Sequence, residues 1–223
     1  MSLAVPVAIP RWQWRTAASD LSRLFRRFPA STDAGERIEE IHLICSHSSH
    51  SVVLTGQTLE LRWRKETRPD GLELWDTILR TSLPYRGEDL ARLWATWGVA
   101  ATVPGADYFS VTSFLDEAIR PHRSVLPARV VRQCRHVTLH GIVCSLEQVI
   151  VGSIEKVDVA PATRFDSFAI EHEDPSLMTQ VLASLGLDAR DNINFLQGLR
   201  NALELPALDV RNRTWPKKSN ASI

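Results

Sequence analysis

The sequence predicts an α+β protein: an antiparallel sheet flanked by helices. Three observations carry this. From Ala128 onward, residues 129–140, 141–151, 154–159 and 164–173 alternate like strands, separated by His140-Gly141, Gly152-Ser153 and Ala160-Pro161. A meander of that kind pairs antiparallel. Earlier, residues 51–54 and 57–65 form a hairpin about Thr55-Gly56. Two helical segments, 175–185 and about 194–203, then close the pattern.

The remaining elements follow in chain order. Arg11-Trp12-Gln13-Trp14-Arg15 is extended, and residues 16–28 read as an amphipathic helix. Leu21, Leu24, Phe25 and Phe28 take one side of that helix, and Arg23, Arg26 and Arg27 the other. Residues 37–45 form a strand in which Ile41, Leu43 and Cys45 alternate with Glu40, His42 and Ile44. In the second hairpin arm Glu60, Arg62 and Arg64 share one face, against Leu59, Leu61, Trp63 and Lys65. Arg68-Pro69-Asp70-Gly71 is a turn. Residues 71–80 fit either a strand or a short helix. Residues 88–97 form a helix with Leu90, Leu93 and Trp94 on its apolar side, and 110–118 a short helix or an irregular crossing. The polar, basic stretch 211–223 is expected to fray.

Composition limits the function classes. The 223 residues are 44% hydrophobic and 23% charged, enough to bury a real core. Lys+Arg and Asp+Glu both number 26, so bulk attraction to nucleic acid or an anionic membrane is not expected. No aromatic-basic strand motif points to a nucleic-acid partner either. There is no apolar run of membrane-spanning length. The apolar opening, Met1 to Pro10, has no preceding basic residues and is broken by two prolines, unlike a secretory signal. Three cysteines (Cys45, Cys134, Cys144) without CxxC spacing read as free thiols in a reducing compartment, so a cytoplasmic location is expected.

Several strands carry charge on one face and apolar residues on the other: Glu60/Arg62/Arg64 against Leu61/Trp63, and Glu171/Glu173 against Phe168/Ile170. Periodicity alone leaves two structures open. One is an ordinary sheet with a solvated outer face, which it favours. The other is a barrel with a polar interior and helices outside.

The segments Glu39-Glu40-Ile41-His42-Leu43, Leu59-Glu60-Leu61-Arg62-Trp63-Arg64-Lys65 and Gly71-Leu72-Glu73-Leu74-Trp75 resemble the CYTH-like family of triphosphate tunnel enzymes. Ile170-Glu171-His172-Glu173-Asp174-Pro175, followed by Asn192-Ile193-Asn194-Phe195-Leu196-Gln197-Gly198-Leu199-Arg200, is similar to that family's C-terminal side. The resemblance implies an eight-stranded antiparallel barrel lined by charge, which moves the balance toward the second structure. It implies that Arg62, Arg64 and Arg132 hold the phosphates, Arg135 lying on the opposite face from Arg132. It implies that Glu40, Glu171 and Glu173 hold Mg²⁺ or Mn²⁺. The family's strand-one motif, Glu-x-Glu-x-Lys, aligned on Glu40 reads Glu40-Ile41-His42-Leu43-Ile44, so His42 replaces an acid and Ile44 the base. The further acid that the family carries on the strand after Gly141 is missing where Cys144 and Ser145 stand, and Glu147 lies nearby but out of register.

The expected organisation is an N-terminal extension and helix over 1–30, a CYTH-like domain over 31–210 and a flexible tail over 211–223. The expected function is binding of a polyphosphate or nucleoside triphosphate, with metal-dependent triphosphate hydrolysis where the metal site is intact. The alternative is an inactive CYTH-fold binding or scaffolding protein. The expected partner is a phosphate-rich small molecule, not a membrane or nucleic acid.

Overall fold

Arg11, Gln13 and Arg15 alternate with Trp12 and Trp14, a period of two that a helix cannot satisfy but a strand between a polar and an apolar layer can. In the computed structural model, which describes residues 9–29, 35–154 and 162–206, this segment is strand β1 (Arg11–Ala18). The helix expected over 16–28 shrinks to α1 (Ser22–Phe25). The chain leaves β1 where the Asp166 carboxylate accepts from the Leu21 N–H at 2.9 Å.

Seven more strands follow: β2 (Glu36–Cys45), β3 (Ser51–Thr55), β4 (Thr58–Thr67), β5 (Glu73–Ser82), β6 (Val125–Leu139), β7 (Ile142–Ser153) and β8 (Thr163–His172). Among the described residues they close an antiparallel barrel in the order β1-β5-β4-β3-β2-β6-β7-β8. β1 pairs with β8 over seven residues and with β5 over three, so the strand nearest the N-terminus completes the closure. The barrel therefore begins at Arg11, inside the stretch expected to be an extension, and not at about residue 31. The ambiguous segment 71–80 is a strand, β5, drawn into the sheet by its pairing with β4. The strand expected over 154–159 has only its first residue among those described, and the tail expected over 211–223 lies wholly outside them.

The helices lie on the outside and at one end. α2 (Gly87–Trp97) carries Leu90, Leu93, Trp94 and Trp97 onto Leu43, Val52, Leu54, Leu59 and Leu61 of the barrel wall. Gly87 has no space for a Cβ, because the backbone of Gly105 would lie 2.4–2.6 Å from it. α3 (Val111–Ser113) runs into a wide helical turn, Phe114–Ile119, on the same cluster. α4 (Pro175–Ser184) is capped by Asp174, whose carboxylate accepts from the Ser176 N–H, with Pro175 in the first turn. It packs Met178, Val181 and Leu182 with Phe28 of the α1 segment onto Trp14, Leu146 and Phe168. Among the described residues no helix is long and apolar enough to cross a membrane.

α5 (Phe195–Ala202) does something different. Its Leu196 and Leu199 pack with Ile44, Ala128, Val130, Val149, Val151 and Phe165. By strand alternation these six share faces with Glu40, Arg132, Glu147 and Glu171. That face is interior, so α5 fills one end of the barrel with apolar side chains.

Candidate functional site

β1 meets β5 only from Arg11 to Gln13, which leaves the edge of Arg15 open. The Asn192–Asn194 loop takes that edge. Asn192 Oδ1 accepts from the Arg15 N–H (3.1 Å), and the Ile193 N–H donates to the Arg15 carbonyl (2.7 Å). Asn194 then caps α5 by accepting from the Gln197 N–H at 3.0 Å. This aims Phe195 into the barrel. The Arg15 and Arg132 guanidinium carbons lie 4.7 and 5.5 Å from the centre of its ring, and His42 stacks obliquely at 5.2 Å.

Beyond Phe195 lies a cavity of about 660 Å³ inside the barrel. Its lining includes five arginines (Arg11, Arg15, Arg62, Arg80, Arg132) and five glutamates (Glu40, Glu60, Glu73, Glu147, Glu171). Charge on this scale inside a small barrel requires mutual pairing.

The deep half is a closed network across five neighbouring strands, β2-β6-β7-β8-β1. Glu40 accepts from Arg132 Nε (3.1 Å) and Nη2 (2.8 Å). Arg132 Nη1 donates to Glu147 at 3.1 Å. Glu147, with a side chain 2% exposed, also accepts from Arg15 Nη1 at 2.5 Å. Arg15 Nη1 lies 2.7 Å from Ser167 Oγ as well. Two carboxylates and two guanidiniums thus balance without further charge.

His42 completes this half, with Nε2 3.1 Å from Glu40. Burial pushes the His42 imidazole down and outweighs the pull of Glu40, so it is neutral at pH 7. An ionised carboxylate only accepts, so Nε2 carries the proton. Burial by itself would push the Glu40 carboxyl up. The His42 hydrogen bond and the Arg132 charge outweigh it and hold Glu40 at about 2. Both groups bind protons more readily in the unfolded chain, so both make stability fall as pH falls. For His42 the loss begins below the ordinary histidine value near 6.5. For Glu40 the contribution is complete above 4.5 and disappears as pH drops through about 2. Urea midpoints are expected to fall steadily from pH 7 to pH 3. The portion between pH 7 and 5 is expected to shrink in His42→Gln, and an unchanged slope there would exclude His42 as its source.

The outer half is looser. Arg62 Nε lies 3.5 Å from Glu60 and Nη2 4.0 Å from Glu171. Arg80 lies 3.9 Å from Glu60, and Arg11 3.9 Å from Glu171. Glu171 takes its one short bond from Gln13 Nε2, at 2.6 Å. Arg62 Nε is buried and has no hydrogen-bond partner among the described residues. An unsatisfied buried donor of this kind is uncommon and costs stability unless a ligand completes it.

Of the residues expected to hold phosphate, Arg62 and Arg132 line the cavity, but Arg132 already spends its donors on Glu40 and Glu147. Arg64 is bound to Glu73 and is not part of the lining. Arg135 lies on the outer surface, against a groove beside Phe25. The expected metal set does not assemble. Glu40 is deep and paired with Arg132, Glu171 is at the outer end, and Glu173 lies past the end of β8, 3.8 Å from exposed Arg11. Among the described residues, no three His, Cys, Asp or Glu side chains form a group that could hold a metal ion. The residues present therefore do not fit the divalent cation that the family resemblance implies. The strand that opens the barrel is β1, not the strand of Glu40, and Arg11, Gln13 and Arg15 of β1 line the cavity.

Sequence reasoning did not single out Arg11, Gln13, Arg15 or Arg80. The alternation of Arg11/Gln13/Arg15 with two tryptophans was the available signal for the first three. Arg80 had no comparable signal, because a bulge between Leu61 and Arg62 shifts the β4–β5 register beside it.

No protein-family model matches this chain, and no curated protein does. Among solved structures, it is similar to a Bacillus halodurans protein given the provisional name of adenylate cyclase. The two are 12% identical, the match covers 83% of this chain and 95% of the other, and the TM-score is 0.42.

Proposed function

We propose that this chain is a diverged CYTH-type protein that binds a polyphosphate or a nucleoside triphosphate in the outer half of its barrel. The observation that carries this reading is the set Arg11, Arg62 and Arg80. Three guanidiniums face one cavity, hold their carboxylates only at 3.5–4.0 Å, and include a buried Nε without a partner. Ion pairs at such distances are weak in a solvated mouth and are readily exchanged for phosphate oxygens. A triphosphate of about four negative charges offers several acceptors at once, which suits planar guanidiniums from three strands. The apolar end filled by Leu196 and Leu199 and the Phe195 ring give the ligand a closed floor. Hydrolysis has less support than binding, since the carboxylates that would hold a metal are engaged by arginines. The non-catalytic alternative is therefore the reading preferred here.

Calorimetric titration with tripolyphosphate and with orthophosphate tests it. Saturable one-to-one binding of tripolyphosphate, weakened by added salt, is expected, with orthophosphate binding much more weakly. Equal, unsaturable heats for both anions would remove the reading and leave a scaffold with a structural charge network.

A further inference from the structure

Building on that reading, we infer that the barrel takes its phosphate ligand without a divalent cation, because the Arg132 guanidinium holds the place between Glu40 and Glu147. Both carboxylates are shielded within the cavity, with side chains 9% and 2% exposed. A metal ion bridging the phosphate to this barrel would need carboxylate oxygens that are not already taken. Arg132 spans them with Nε and Nη2 on Glu40 and Nη1 on Glu147, and Arg15 takes the other side of Glu147. A divalent ion placed there would add two positive charges to a balanced set and face a cation that does not deprotonate. Arg132 has no easy way out, since its guanidinium lies against Phe195 at the closed end.

The outer half leads to the same conclusion by a different route. There three arginines, Arg11, Arg62 and Arg80, share the lining with Glu60, Glu171 and Glu73, the last of which is already bound to Arg64. Glu60 is shared by Arg62 and Arg80, while Glu171 lies near Arg11 and Arg62 and accepts from Gln13. The ion pairs of Arg11, Arg62 and Arg80 are all 3.5–4.0 Å long, so phosphate oxygens find guanidiniums where the resemblance would supply Mg²⁺ or Mn²⁺. Free Mg²⁺ then competes with the protein for the phosphate.

The test is a titration of the full chain with tripolyphosphate, once in excess EDTA and once in millimolar Mg²⁺. The expected result is binding in EDTA that stays within about threefold, or weakens, when Mg²⁺ is added. Binding that appears only with Mg²⁺, or tightens tenfold or more, overturns the inference but leaves the phosphate reading standing. Absence of binding under both conditions overturns the phosphate reading and this inference with it. A second measurement does not depend on phosphate. The spin-resonance signal of free Mn²⁺ is expected to be unchanged by an equimolar amount of protein, and stoichiometric loss of that signal would overturn the inference.

Discussion

Replacing Glu147 by alanine is expected to destabilise the fold by about 3–5 kcal/mol, a large share of the roughly 5–15 kcal/mol that holds a domain together. Glu147 sits at 2% exposure between Arg15 and Arg132 and accepts from both. Without it Arg15 keeps the Ser167 hydroxyl and the Phe195 ring, and a largely shielded guanidinium loses the carboxylate that offset its desolvation. The cost comes from this orphaned charge more than from the lost attraction. The double replacement Arg15→Met/Glu147→Leu is therefore expected to recover most of the loss, because Glu40 and Arg132 still balance each other. Urea unfolding of the wild type and the variants measures both effects. A loss below about 1 kcal/mol in Glu147→Ala would be the behaviour of a solvated surface pair and would contradict a closed network.

Arg62→Ala is expected to weaken tripolyphosphate binding about 10- to 100-fold, the loss of one or two charged hydrogen bonds at 1.5–3 kcal/mol in all. Arg80→Ala is expected to act in the same direction by a smaller factor, because its side chain is 61% exposed. Stability is expected to change little in either, since their ion pairs are long and partly solvated. Arg129→Ala is the control. Arg129 pairs with Glu39 at 2.8 Å on the exposed face of the same barrel, so its removal takes away a charge without touching the cavity. Calorimetry on the three variants separates a localised site from a general attraction of anions. If Arg129→Ala weakened binding as much as Arg62→Ala, the anion would be held by overall charge and the cavity would have no special part.

Sequence alone determined the features that depend on neighbours along the chain. Alternation put Glu60 with Arg62, separated Arg132 from Arg135, and set Glu171 opposite Ile170. The structure has Glu60, Arg62, Arg132 and Glu171 on the cavity and Arg135 off it. The apolar periodicity of 88–97, 175–185 and 194–203 likewise became α2, α4 and α5. These features follow from the two-residue repeat of a strand and the 3.6-residue repeat of a helix.

What only the tertiary structure decided is which of two chemically opposite faces became the inside. A charged face is equally at home in solvent, and closure depends on β1 meeting β8, with Trp14 paired to Ile170 across most of the chain. Local alternation also fails where a strand stops. Glu173 has the parity of Glu171, but β8 ends at His172 and the acid turns away from the cavity. Arg64 has the parity of Arg62, yet it answers to Glu73 beside a register shift between Arg64 and Glu66. Glu40, Arg132, Glu147 and Arg15 form one network because their strands are neighbours in the closed order. The spacing of these four residues in the sequence carries no trace of that order, since strand pairing is set by burial of apolar faces and by register, both long-range.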